Sequence, residues 1–177
     1  MVRSKGGSMV MIRTALPTDA VHILEHVHAV FAEEGFTLST LDDFHNTVEQ
    51  EAAWLQMHLD NPGKIVIVAE REGQIIGLLN FHSGERKRIV HLGELGMSVS
   101  KAWRNRGIGR ALLSTLILWA QQHPLIEKVC LEVFANNAGA IALYTSLGFQ
   151  AEGRLKREIK LGPGEYVDTI RMALFVK

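Results

Sequence analysis

The most constraining stretch of the chain is Val99 to Ala111, which reads Val-Ser-Lys-Ala-Trp-Arg-Asn-Arg-Gly-Ile-Gly-Arg-Ala. An apolar, strand-like run from His91 to Val99 leads into it. An apolar-periodic run with helical spacing, Ile108 to Gln121, leads out, so the stretch is a strand-to-helix turn. Gly107 and Gly109 stand at the start of that helix among Arg104, Asn105, Arg106, Ile108 and Arg110. The first amides of a helix have no intrahelical acceptor, and the macrodipole adds about half a positive charge there. Glycine lets an anion approach without meeting a Cβ. Successive N–H groups curling around one point form a nest, and a diphosphate is the expected ligand.

Two common nucleotide loops are excluded by spacing. A Walker loop needs Gly-Lys followed by Ser or Thr, and Gly63-Lys64 is followed by Ile65. A Rossmann fingerprint needs a third glycine where Ala111-Leu112 stand. The remaining pattern, Arg104-x-x-Gly107-x-Gly109, resembles the acetyl-CoA pyrophosphate loop of the GNAT N-acetyltransferase family. A second motif supports it: Leu131-Glu132-Val133, then Asn137-x-x-Ala140-Ile141-Ala142-Leu143-Tyr144, then Leu147-Gly148-Phe149. This resembles the late strand, helix and following strand of the same family. Asn137 starts that helix and Gly148 ends it.

The chain has 177 residues, and 47% apolar content is ample for one core. Residues 1–8 are expected to be a disordered tail or a cloning remnant, and 9–177 a single domain. Lys+Arg and Asp+Glu both total 19, so no global field attracts nucleic acid or an anionic membrane. The first residues lack the apolar core of a signal peptide, no run has the length of a membrane span, and a single cysteine, Cys130, suits a reducing, cytoplasmic setting. Cys130 reads as a buried structural thiol.

Taken in order, Val10 to Leu16 reads as a strand ended by Pro17. Thr18 or Asp19 can cap a helix running to about Glu34, stopped by Gly35. His22 and His26 lie one turn apart there, but no acidic or Cys partner is evident nearby, so they read as surface histidines and no metal site is expected. A second helix is expected over about Leu41 to Leu59. Lys64 to Glu70 and Gln74 to His82 form a hairpin, and Arg88 to Val99 is the strand that feeds the loop. After the Ile108 to Gln121 helix, Lys128 to Val133 must lie beside Arg88 to Val99 by a right-handed crossover. Tyr166 to Phe175 reads as a closing strand that could pair across a homodimer. The expected architecture is α/β (α+β), a mixed, mostly antiparallel sheet of six to seven strands with helices on both faces, the acyl-CoA N-acyltransferase fold that the resemblance implies.

The resemblance also implies a site. The strand before the loop and the strand after its helix would splay apart to admit the pantetheine arm, and Gly96 could seat the bulge that begins the splay. Met97, Ser98 and Val99 would pair with pantetheine through their backbone, and Asn137 and Ala140 would help to hold the cofactor. Phe36, Phe44 and Trp54 could wall the acceptor pocket, or simply pack in the core. Transfer to an amine with a pKa of about 10 needs a base, an oxyanion donor and an acid. Glu94 and Glu132 are rival bases, a backbone N–H near Met97 is the oxyanion donor, and Tyr144 is the candidate acid. The expected activity is acetyl-CoA-dependent N-acetylation of a small-molecule primary amine by direct attack on the thioester. A protein N-terminus or lysine as acceptor, and a non-catalytic CoA-binding module, are the alternatives.

Overall fold

The computed structural model describes residues 1–33 and 35–177. Its strands are β1 (Val2–Arg3), β2 (Met9–Thr14), β3 (Lys64–Arg71), β4 (Gln74–Ser83), β5 (Leu92–Val99), β6 (Lys128–Phe134), β7 (Gln150–Gly162) and β8 (Glu165–Phe175). Its helices are α1 (Ala20–Phe31), α2 (Val48–Asp60), α3 (Ile108–Gln122) and α4 (Ala138–Ser146). The strands form one eight-stranded sheet in the order β1-β2-β3-β4-β5-β6-β8-β7. All neighbours are antiparallel except β5 and β6, which α3 joins by a crossover.

Side-chain alternation along the strands separates two cores. Ile67, Leu79, Phe81, Leu95, Val129, Leu131 and Val133 pack with Ile108, Leu112, Leu113 and Leu116 of α3 and Tyr144 of α4. Val66, Val68 and Ile75 pack on the other face with Ile23 and Val27 of α1 and Leu55 of α2. The helices therefore lie on both faces, and α1 and α2 cover the β2–β4 half of theirs.

Several elements differ from the sequence reading. The sheet gains β1 at one edge, while the strand expected after α4 runs on as β7 at the other. Val2–Arg3 pairs with Met9–Val10, and Lys5 N donates to Arg106 O at 3.0 Å, so the first residues lie against the β5–α3 turn instead of forming a loose tail. The expected helix over Leu41 to Leu59 is a short turn, Leu41–Asp43, followed by α2. Thr47 sets that start: its hydroxyl accepts from Gln50 N while its own N–H donates to Gln50 Oε1, a capping box that the apolar periodicity upstream masked. The strand expected from Arg88 begins at Leu92. The expected end of α1 at Glu34 lies outside the described residues; α1 runs to Phe31.

Two further expectations are corrected. Gly96 seats no bulge, because β4 and β5 pair in unbroken register from Gly77–Val99 to Ser83–Gly93. A Cβ at Gly96 would instead lie 2.8 Å from Asn80 Oδ1, so glycine makes room for that amide. And β8 cannot pair across a dimer, since β6 occupies one edge and β7 the other.

Candidate active site

β5 and β6 pair only over Leu92–Glu94 and Lys128–Cys130. Beyond Glu94, Leu95 to Val99 keep β4 as their partner and lose β6. The sheet therefore opens into a gap, and β5 presents one edge of its backbone there for an extended ligand to pair with, as the resemblance implies for Met97, Ser98 and Val99.

At the top of the gap, Asn105 (φ 60°) and Gly107 (φ 89°) both take left-handed backbone, which asparagine tolerates and glycine favours. Ala111 N donates to Gly107 O at 3.0 Å as the first helical bond, which leaves the amides of Ile108, Gly109 and Arg110 without helical acceptors. A Cβ on Gly107 would meet nothing within 4 Å. That open helix start fits the diphosphate of acetyl-CoA. The arginines around it are engaged differently. Arg104 Nε donates to Val99 O at 3.0 Å, and its Nη2 pairs with Glu33 at 2.7 Å. Arg110 Nη2 donates to Ser146 Oγ at 2.7 Å, while Arg106 lies over the Trp103 ring at 5.2 Å. Asn137 caps α4, its Oδ1 accepting from Ala140 N at 3.1 Å.

The two faces of the sheet carry different chemistry at the foot of the gap. On the α3–α4 face, Tyr144 is buried beside Phe149, and burial pushes its phenol up to about 12. On the opposite face, alternation places Glu94, Cys130, Glu132 and Arg171. Arg171 Nη2 donates to Glu94 Oε1 at 2.8 Å, and Nη1 donates to Glu132 Oε1 at 3.3 Å. The three side chains are 39–47% exposed, so they line an open surface. Cys130 beneath them is buried, and burial pushes its thiol up.

The aromatic wall candidates separate. Phe36 meets Phe134 of β6 edge-on at 6.3 Å, on the same side as Glu132. Phe44 packs edge-on against Phe31 at 5.5 Å and Trp54 lies tilted against His58 at 4.1 Å, both beside the α1–α2 core. The histidine pair also separates: His22 is exposed and bonds Glu25, whereas His26 is 3% exposed. Among the described residues no group of three or more metal-binding side chains occurs.

Arg171 lay outside the sequence reading, and His26, read as a surface histidine, is buried instead. Arg171 interrupts the apolar run Ile170 to Leu174 of β8, and that charge in a strand was the signal available. His26 lies three residues after Ile23 and four before Val30, on the buried face of α1.

The sequence matches the Acetyltransferase (GNAT) family over residues 27–149. It is 31% identical to L-amino acid N-acetyltransferase AaaT of Escherichia coli K12, over 94% of this chain and 98% of that protein. A GNAT-family acetyltransferase from Streptococcus pneumoniae superposes with a TM-score of 0.91 at 29% identity, over 96% of this chain and all (100%) of that one. An acetyltransferase from Salmonella typhimurium, solved with acetyl-CoA, shares the fold at a TM-score of 0.84 and 24% identity, covering 96% and 95% of the two chains. The helix-start loop, the opened β5–β6 seam and the family match agree: the chain belongs to the GNAT acetyltransferase family and is an N-acetyltransferase whose acetyl donor is acetyl-CoA.

Proposed function

We propose that the enzyme acetylates the primary amine of a small molecule of the amino-acid class. The observation that carries this is the Glu94–Arg171–Glu132 group on the open half of the acceptor face, at the foot of the β5–β6 gap. Two carboxylates suit an incoming ammonium. A guanidinium has five N–H donors, and here two of its nitrogens each give one, so Arg171 keeps donors for a carboxylate on the same molecule. The related L-amino acid N-acetyltransferase supports that class.

Acetyl-CoA supplies a thioester carbonyl that the bound amine attacks directly, with cleavage of the C–S bond. Glu94 accepts the ammonium proton, directly or through a water, with Glu132 as the rival for that role. A backbone N–H near Met97 donates to the developing oxyanion. Tyr144, protonated at neutral pH, donates to the leaving thiolate from the other face of the sheet. Met97, Ser98 and Val99 position the pantetheine, and the amides of the α3 start, with Arg106 beside them, hold the diphosphate. Phe36 and Phe134 bound the acceptor side. Phe44 and Trp54 support that wall from the core. A cytoplasmic setting suits the free Cys130 thiol, and no helix among the described residues is long and apolar enough to cross a membrane.

The test is thiol release from acetyl-CoA against a panel of L-amino acids, polyamines, N-terminal peptides and lysine peptides. Turnover with free amino acids is the expected result. Turnover with peptides alone makes the protein-directed alternative correct, and donor binding without turnover on any acceptor leaves a CoA-binding module.

A further inference from the structure

His26 has no place in the chemistry above, yet it is one of the few polar side chains fully inside the protein. Its Nε2 lies 2.9 Å from Ser98 Oγ and its Nδ1 3.0 Å from Ser100 Oγ. The ring therefore bridges the two hydroxyls that bracket Val99, at the point where β5 passes into the donor loop. Seven residues on, just past the end of α1, Glu33 takes the Arg104 guanidinium, and Arg104 in turn holds Val99 O. α1 and the turn that follows it thus grip the donor segment at both ends, through Ser98 and Ser100 at one and Arg104 at the other.

Those grips fall where β5 has lost β6 as a partner. A strand edge without a neighbouring strand is free to bend, and an arm docking on it by main-chain bonds needs its shape fixed beforehand. Burial keeps the imidazole neutral, pushed down to about 4, so one ring nitrogen donates and the other accepts. A neutral donor–acceptor bridge of that kind sets both serine hydroxyls at once.

We propose that His26, with Glu33, is a positioning residue for acetyl-CoA: α1 and the turn after it hold Ser98 to Arg104 in the shape on which pantetheine and diphosphate dock. This rests on the reading of β5 and the α3 start as the donor site.

The test is calorimetric titration with CoA, with acceptor KM measured at saturating acetyl-CoA, on the full chain and its His26→Ala, His26→Gln and Glu33→Gln variants. Each lost bond carries a modest net free energy, so His26→Ala should weaken CoA binding about tenfold. Acceptor KM should stay within about twofold, since the bonds removed lie on the donor side. His26→Gln should recover most of the loss, because a carboxamide also donates and accepts. Glu33→Gln, at a partly exposed ion pair, should weaken CoA about threefold without harming the fold. Unchanged CoA affinity in a folded His26→Ala protein overturns the proposal. So does an equal loss on donor and acceptor, or His26→Gln being as impaired as alanine. If His26→Ala does not fold, unchanged affinity in both Glu33→Gln and Ser100→Ala overturns it. Failure of the wild type to bind CoA overturns the donor-site reading itself.

Discussion

Glu132 of β6 and Arg171 of β8 are direct partners in the antiparallel ladder, joined by an Nη1-to-Oε1 hydrogen bond of 3.3 Å. The other terminal nitrogen of the same guanidinium reaches over β6 to Glu94 of β5. One cation therefore sets the spacing of two carboxylates that belong to strands on opposite sides of the gap.

At 39–47% side-chain exposure, these ion pairs add little to folding, in the range of 0 to about 1 kcal/mol each. Their effect should be on geometry. Arg171→Gln is expected to leave the melting temperature nearly unchanged while lowering kcat about tenfold or more, with CoA affinity retained, since small misplacements of reacting groups are costly. Steady-state kinetics beside calorimetry on the variant checks it. An unchanged kcat would free the carboxylates from any dependence on Arg171.

Tyr144 carries its proton well past neutral pH because burial pushes the phenol to about 12. Tyr144→Phe keeps the ring packing on Phe149 and removes only the hydroxyl. The expected result is a fall in kcat of about 100-fold, the lower end of what a lost general acid costs. CoA binding should stay constant, and full turnover in the variant would remove Tyr144 from the acid role.

Gly107 has φ at 89° and open space around its missing Cβ. The Cβ of Gly107→Val therefore meets no neighbour, and its cost is backbone strain, about 1–2 kcal/mol, plus whatever is lost when the ligand phosphate meets the side chain. Acetyl-CoA affinity should fall at least tenfold, as read by titration. Native affinity would displace the diphosphate from the α3 start.

Asp19 stands where the chain turns from β2 into α1. Arg13 donates to both of its oxygens, at 2.6 and 2.7 Å, and Leu16 N donates at 2.8 Å. The guanidinium first, then the backbone N–H, hold its carboxyl below the usual carboxylate range. A carboxylate with a lowered folded pKa gives stability that is fully present above its unfolded value, near 4, and is lost as pH falls through the folded value. Asp19→Asn should cost about 1–2 kcal/mol at pH 7, and the difference from wild type should shrink steadily below pH ~4. Denaturant unfolding at several pH values measures it. A constant difference down to the acid end would rule out Asp19 as the titrating group.

The parts of the structure that were legible in the sequence are those decided locally. Gly107 needs positive φ, and the arginines and glycines around it declare the start of α3 without knowledge of the sheet. Asn137 and Gly148 bracket α4 in the same way. β1 was missed, and of β7 only the start after α4 was read, because their residues are mostly exposed and carry no apolar alternation to read. The partnership of Arg171 with Glu94 and Glu132 depends on the register of three strands distant in sequence. The bridge from His26 to Ser98 and Ser100 depends on where α1 lands across β5. The arginines of the loop illustrate the same limit: spacing put Arg104, Arg106 and Arg110 beside the anion site, and only packing shows Arg104 tied to Glu33 and Arg110 to Ser146.

Among the described residues, β-pairing joins the β1–β5 ladder to the β6–β8 ladder over three residue pairs. The pairing between the two ladders is therefore a narrow seam, backed on the α3 side by a core that both ladders share, and the seam ends where the donor is proposed to bind. An arm seated in the gap would act as a missing rung, so acetyl-CoA should slow amide exchange in both ladders and not only at the residues it touches. By mass action, the stability of the enzyme would then rise with donor concentration. The supply of acetyl-CoA would set how long the enzyme survives as well as how fast it works.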